Sequence, residues 1–358
     1  MSRSPALADD LRAAAAGSFA AGRYADAEAG YRAAVQAAPG LAMAHHDLGV
    51  LLKAVGRLDA ARASLRTALS LAPGEPRTRH ALGSVLLALG RYQEGWPLYD
   101  ARHEVPELRI PKPQLPFPEW PGRDVRGRKL LLFPEQGFGD QIQYARFAPW
   151  LAARGADVTL LCRPQLHRLL DDSLDVRVIA AAGQVEFPDP DAWVMTGSLP
   201  GRCGLEPATL PSAPYLRAAT RPPGGRIGVA TRGNPGHSND AQRSLPADVA
   251  AELLALPGAM SLEPEATGAK DFAETAALVA GLDLVIAVDT AVAHLAGALG
   301  KPVWILLPRI FTDWRWMEGR ADSPWYPTAR LFRQASPGDW SAVLAEVRRT
   351  LTQETIVR

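Results

Sequence analysis

Two aspartates stand where chemistry is easiest to place. Asp140 closes the run Pro134-Glu135-Gln136-Gly137-Phe138-Gly139-Asp140, between the apolar Leu130 to Phe133 and an amphipathic stretch. An apolar run handing over to a helix through glycines marks the carboxyl end of a strand, where open α/β sheets bind ligands. Gly137 and Gly139 allow close approach of a ligand to the main chain. The run lacks the third glycine of a dinucleotide fingerprint and the lysine of a P-loop. Asp140 suits two roles: an N-cap at or next to the helix start, or a general base, whose proton affinity the helix dipole would lower.

The second aspartate opens Asp289-Thr290-Ala291-Val292-Ala293-His294, again a strand end running into a helix. Thr290 is a natural N-cap, and the N–H groups behind it form an anion site. His294 lies one turn on, on the face of Thr290. The three suit sugar hydroxyls and a pyrophosphate; equally, His294 suits burial against Asp289. A polar loop, Thr231 to Ser244, follows another strand and carries Arg232, Asn234 and Arg243, the arginines being matched to phosphate oxygens. An ordinary solvated loop has the same composition. The aromatic stretches Phe311 to Trp316 and Ser323 to Pro327 suit packing or stacking on a base or sugar.

The elements that must position these residues fall into three regions. At the N-terminus, Gly22-Arg23-Tyr24, Gly56-Arg57-Leu58 and Gly90-Arg91-Tyr92 recur every 34 residues, with Tyr31, Leu65 and Tyr99 in one column and Ala27 and Ala61 in another. The period predicts about three helical hairpins, each covering an apolar face of its neighbour, with the glycine ending the first helix and Pro39 or Pro73 following the second. Gly95 and Pro97 depart from the pattern and predict a late or kinked last helix, packed on the chain beyond it. Arg12, His46 and His80 occupy one repeat position. They are expected either to line a peptide groove or to be solvated side chains on a helix face; the adjacent His45 and His46 point apart and make no metal site.

Between Val105 and Arg128, six prolines predict a stiff connector, with Phe117 and Trp120 laid on a surface. Two blocks of alternating short apolar runs and amphipathic stretches come next, separated by the Pro/Gly-rich 211–225, and predict two parallel sheets with covering helices. In the first, one helix is expected over Gln141 to Arg154. The resulting division is 1–109 repeats, 110–128 connector, 129–220 first α/β half and 221–358 second α/β half.

Charge is balanced, 39 basic against 38 acidic residues, so no global field draws the protein to nucleic acid or anionic lipid. Cys162 and Cys203 lack CxxC spacing, which with an N-terminus lacking a secretory core leads us to expect a cytoplasmic protein. The apolar stretch Leu284 to Leu299 is interrupted by Asp289 and His294 and is shorter than the roughly 20 residues a membrane span needs.

With these motifs in order and spacing, nearly the whole chain resembles bacterial tetratricopeptide-repeat proteins that carry a heptosyltransferase-like glycosyltransferase domain. The strings RYQEGWPLYDAR, PEQGFGDQIQYARF, RGNPGHSNDAQRS and DLVIAVDTAVAHLAGALGKPVW carry the resemblance. One departure is Thr231-Arg232 before Gly233, where the family often reads Trp-x-Gly. The resemblance implies helical repeats followed by two Rossmann-like halves in a GT-B arrangement. It implies inverting transfer from a nucleotide sugar without a metal or other cofactor, Asp140 acting as base and Arg243 facing phosphate. Asp289, Thr290 and His294 would contact the donor, and Gly137, Gly139, Gln141, Arg232 and Asn234 complete the expected donor-facing set. The expected partners are a nucleotide sugar and a protein or peptide acceptor docked by the repeats, with a homodimer also compatible. A cell-surface glycan acceptor and a silent protein-binding adaptor are the competing readings.

Overall fold

The computed structural model describes residues 5–135, 137–222, 226–236 and 239–356. Gln136 of the glycine turn, His237 and Ser238 of the polar loop, residues 223–225 of the expected boundary and residues 1–4 lie outside them. The chain divides into two compact units: one runs to Lys112 and takes in Ile310–Gly319, and the other comprises Pro113–Arg309 and the chain from Arg320 onward. The two expected α/β halves therefore share one unit, and the expected repeat segment is completed by residues from far along the chain.

The first unit holds three hairpins: α1 (Pro5–Ala20) with α2 (Tyr24–Ala37), α3 (Ala42–Ala54) with α4 (Leu58–Leu71), and α5 (Pro76–Ala88) with α6 (Tyr92–Tyr99). Gly22, Gly56 and Gly90 follow the first helix of each pair with φ of 73°, 74° and 75°, the left-handed conformation that stops a helix without a Cβ penalty. Ala27, Ala61 and Leu65 are fully buried and Tyr31 nearly so, as the repeat columns predict. The last hairpin departs where Pro97 falls: α6 is short and passes into a 3-10 turn over Asp100–Glu104.

The segment Ile310–Gly319 runs along the row of hairpin turns. Phe311 donates its N–H to the Ala54 carbonyl (2.7 Å) and Glu318 donates to that of Ala88 (3.3 Å). The Phe311 ring meets Phe19 and Tyr24, while Trp314 meets Tyr92, Trp96 and Tyr99 at centroid distances of 5.2 to 6.4 Å. Of the two uses expected for this aromatic stretch, Phe311 and Trp314 serve packing.

The second unit contains two parallel sheets. Strands β1 (Lys129–Phe133), β2 (Asp157–Cys162), β3 (Arg177–Ala180) and β4 (Ala192–Met195) lie in the order β3-β2-β1-β4. Strands β5 (Ile227–Ala230), β6 (Ala259–Ser261), β7 (Leu284–Val288), β8 (Val303–Leu307) and β9 (Ala329–Arg333) lie in the order β6-β5-β7-β8-β9. Each first strand neighbours strands on both sides, so the chain crosses over and leaves its strand ends together, the arrangement that creates a binding crevice in α/β sheets. The connector joins the first sheet: Trp120 N–H donates to the Trp193 carbonyl (2.7 Å), and Trp193 N–H donates back to Pro118 (3.1 Å).

Helices of the first half are α7 (Phe138–Ala145), α8 (Phe147–Ala152), α9 (Pro164–Ser173) and α10 (Leu199–Arg202). The single helix expected over Gln141 to Arg154 is thus two, starting earlier and ending sooner. Pro149 supplies the reason, since it has no N–H to offer the Ala145 carbonyl. Helices α11 (Asp240–Arg243), α12 (Ala247–Leu254), α13 (Pro264–Thr267), α14 (Phe272–Ala280), α15 (Ala291–Ala298) and α16 (Ser341–Ile356) belong to the second half. Trp304, Leu306, Phe332, Trp340 and Val347 form part of its core. No helix among the described residues is long and apolar enough to cross a membrane.

Candidate active site

The glycine turn after β1 is built differently from the expected cap. Gly137 is the N-cap of α7 and Asp140 is its third residue, not the cap. A Cβ on Gly137 would lie 2.5 Å from Asp140 Oδ2, so the carboxylate folds back over the turn. Two braces fix the turn. Gln141 Nε2 donates to the Glu135 carbonyl (2.7 Å) while its Oε1 accepts from Arg163 N–H (2.9 Å) at the end of β2. Glu135 Oε1 accepts from Gly197 N–H (3.0 Å) beyond β4. The Gln141 amide, expected to face the donor, is thereby occupied with two main-chain partners.

Thr290 does cap α15, with φ −146° and ψ 170°, but its hydroxyl makes no capping hydrogen bond. The start of α15 keeps its positive dipole end beside Asp289 and Thr290, both partly exposed. Arg243 connects the polar loop to this strand end: Nη1 donates to the Asp289 carbonyl (3.0 Å) and Nε to Asp240 Oδ1 (3.2 Å). Its side chain is 13% exposed, so the charge is largely shielded from open solvent. Arg232, in contrast, is exposed and reaches Glu265 (3.2 Å) on α13. Asn234 is also exposed and closes a small turn by accepting from Gly236 N–H (2.9 Å). The end of β5 is held by Glu263, whose Oε1 accepts from the N–H groups of Thr231 (3.0 Å) and Arg232 (3.2 Å).

The two turns meet. A Cβ on Gly139 would stand 2.7 Å from Cδ2 and 3.3 Å from Nε2 of His294, so the imidazole lies flat against the first turn of α7 only because residue 139 has no side chain. His294 is 3% exposed, its Nδ1 is 2.9 Å from the Tyr326 hydroxyl, and its Nε2 is 3.9 Å from Asp289 Oδ1. Nearby, Phe138 packs on Phe272 with ring centroids 5.0 Å apart, and Arg168 of α9 grips Asp271, the N-cap of α14, through two bonds of 3.0 and 2.8 Å. Asp140, Asp289, Thr290, His294 and Arg243 are thus carried by the segments that follow β1, β7 and β5, and α7, which follows β1, packs on α15, which follows β7.

Sequence reasoning passed over Glu135, Glu263, Arg146 and Tyr326, which hold these turns. The first two had a readable signal: each is an acid within a few residues of a strand end. Cys162 and Cys203 take no part, and burial pushes both thiols up to about 12.

In the first unit, Arg12, His46 and His80 each meet a neighbouring element. Arg12 Nε donates to Asp47 (2.7 Å), and His46 Nδ1 lies 3.0 Å from Thr78 Oγ1. The half-buried His80 ring sits 5.2 Å from that of Tyr99. Burial, reinforced by Lys53, Arg102 and His103, pushes the His80 pKa down to about 3. His45 turns away to the Pro39 carbonyl (2.9 Å), so the adjacent histidines do diverge.

Residues 252–306 match the family model for glycosyltransferase family 9, heptosyltransferase. That stretch runs from α12 through β7 and α15 to β8, and so includes Asp289, Thr290 and His294. The chain is 27% identical over 312 residues to Protein FlbA of Caulobacter vibrioides, covering 72% of this chain and 52% of that protein; it spans about half the length of this curated relative. Similar solved structures include the first TPR of Spaghetti (RPAP3) bound to an HSP90 peptide, at 17% identity, TM-score 0.28, and coverage of 29% of this chain and 82% of that one. MamA AMB-1 is similar at 26% identity and TM-score 0.25, over 27% of this chain and 53% of that one. The chain joins tetratricopeptide-like helical hairpins to a heptosyltransferase-like α/β unit.

Proposed function

We propose that the α/β unit transfers a sugar from a nucleotide-activated donor to an acceptor hydroxyl, with inversion and without a metal ion. The observation that carries this reading is the meeting of the two turns, Gly139 of α7 against His294 of α15, which brings the Asp140 turn and the Asp289-Thr290 turn to one crevice. Asp140 accepts the proton of the attacking hydroxyl. Arg243, anchored on the Asp289 carbonyl, and the positive start of α15 stabilise the departing diphosphate. Asp289, Thr290 and His294 bind the donor, and Gly137 and Gly139 admit it to the main chain. Glu263 holds the end of β5 so that the polar loop returns Arg243 to β7.

The acceptor is a protein or peptide docked on the helical unit. The recurrence of three hairpins supports this reading, the repeats being an architecture with extended binding surfaces. Arg12 and His80, both partly exposed, mark the docking face, and the buried His46 ties the second hairpin to the third beneath it.

Thermal stabilisation by a panel of nucleotides and nucleotide sugars identifies the donor, because a ligand at 100 times its Kd adds about 2.7 kcal/mol. With that donor, Asp140→Asn lowers transfer about 10²- to 10⁴-fold while leaving donor-induced stabilisation intact. Transfer undiminished in that variant, or loss of activity on adding a chelator, refutes the mechanism.

A further inference from the structure

Through its two bonds, Gln141 fastens the end of β2 to the Asp140 turn: Arg163, the residue after β2, donates its N–H to Gln141 Oε1 at 2.9 Å. Arg163 is therefore carried with that turn. Its guanidinium lies 5.0 Å from the centre of the Phe138 ring, Phe138 being the first residue of α7 and two before Asp140. The same ring packs on Phe272, the first residue of α14, with centroids 5.0 Å apart. Arg163 thus stands at the strand-end rim of the first half, exposed and seated on an aromatic ring, and its guanidinium has no hydrogen bond or ion pair among the described residues.

An arginine is a poor residue for this position. Arg163 is the N-cap of α9, where the positive end of the helix dipole repels a cation and where Ser, Thr, Asp or Asn would satisfy the free N–H groups. The same residue type stands at the N-caps of α2, α4 and α6, and there an acid neutralises it: Arg23 meets Asp26 at 3.3 Å, Arg57 meets Glu28 at 2.6 Å and Arg91 meets Glu94 at 2.6 Å. Arg163 has no such acid among the described residues. Those at the start of α14 are taken by Arg168, which lies 2.8 Å from Asp271 and 3.6 Å from Glu274. Lys270, beside them, is also exposed and without an ion pair among the described residues. A cation left uncompensated at a helix start is relieved by an anion, and a guanidinium offers a carboxylate two parallel N–H donors. Local rules of sequence are broken in this way where a site requires it.

We propose that Arg163 binds a carboxylate of the acceptor, so that the hydroxyl presented to Asp140 is one with an Asp or Glu side chain close to it along a peptide. The role of the hydroxyl rests on the glycosyltransferase reading above; the carboxylate site does not. That reading gives the anion of the donor to Arg243 and the start of α15, in the second half, and leaves Arg163, in the first, to the acceptor. Arg163 sits on Phe138, and Asp140 follows two residues later in the same turn of helix. Carboxylate and hydroxyl are then roughly 10 Å apart, which an extended peptide spans in about three residues.

The test uses fluorescein-labelled synthetic peptides with a central Thr and either Asp or Asn within about three residues of it. Binding to the full chain is read by fluorescence anisotropy, and transfer to the same peptides by mass spectrometry with the donor found by thermal stabilisation. The wild type should bind the Asp peptides about tenfold more tightly than the Asn peptides, the worth of one charge-assisted hydrogen bond. Arg163→Gln should bring the two together, and Arg163→Glu should turn the preference toward peptides with Lys at those positions, a reversal that a merely structural arginine would not produce. Because the residue is exposed, both variants should keep the wild-type near-ultraviolet circular dichroism. No preference in the wild type, or a preference that survives Arg163→Gln, overturns the proposal. So does loss of donor-induced stabilisation in that variant, which would move Arg163 to the donor. Preference without transfer to any peptide upholds the carboxylate site and refutes the transfer reading; transfer without preference does the opposite.

Discussion

The helical unit and the α/β unit use their polar side chains in opposite ways. Along the repeats, Arg12 and His46 reach only as far as the next hairpin, to Asp47 and Thr78, and each tie strengthens an interface that the repeat already builds. In the α/β unit the corresponding ties span the chain: Arg146 holds the carbonyl of Trp325, Arg168 holds Asp271, and His294 lies on Gly139. The first pattern is tolerant, since any one tie is backed by apolar columns such as Ala27, Ala61 and Leu65. The second is exacting, because the position of a site residue depends on one distant partner.

That contrast can be broken at its strongest point. The helical unit depends on the distant segment Ile310–Gly319, above all on the Trp314 ring among Tyr92, Trp96 and Tyr99, and Trp314→Ala should cost about 3–5 kcal/mol in urea unfolding. A loss below about 1 kcal/mol would show that the hairpins stand without this anchor. In the α/β unit, Gly139→Ala forces a methyl into the His294 ring and should cost about 1–3 kcal/mol, with a lower transfer rate. Wild-type stability and rate in that variant would mean the two turns need not touch.

A third measurement is pH dependence. His80 is driven to about 3 by burial and by the positive charges of Lys53, Arg102 and His103, whereas in the unfolded chain it takes a proton near its ordinary 6.5. The unfolded state therefore binds more protons between these values, and stability rises with pH across the window. The thermal midpoint of the helical unit should fall as the pH is lowered below about 6.5, and His80→Leu should flatten that fall. The smallest effect belongs to Arg12→Ala. It removes partly exposed pairs with Asp9 and Asp47 and should cost about 1 kcal/mol or less in the same unfolding experiment.

How much of this was legible depends on how far apart the partners lie. The hairpins were readable because a repeat states its neighbours in its own period: glycine at the turn, proline after the second helix, small and aromatic columns between. Strands β1, β5, β7 and β8 were readable as continuous apolar runs, the pattern of strands covered on both faces. Of the two roles the sequence offers Asp140, the cap is taken by Gly137, because α7 starts at Phe138 and leaves Asp140 as its third residue, a start that the acidity of Asp140 masks. Arg146 and Tyr326 carried no local signal at all. Their partners are 179 and 32 residues away, and nothing in the spacing of a single chain announces such meetings.

The segment Ile310–Gly319 also sets an order of assembly. On the ribosome the three hairpins emerge first, and domains generally fold as they emerge. The Trp314 ring that packs on α6 arrives only when β8 has been made, some two hundred residues later by the numbering. Until then the edge formed by Phe19, Tyr24, Tyr92 and Trp96 is an uncovered aromatic surface on a nascent chain. The helical unit precedes most of the α/β unit in the chain, yet it is complete only once synthesis has passed through the matched region at 252–306.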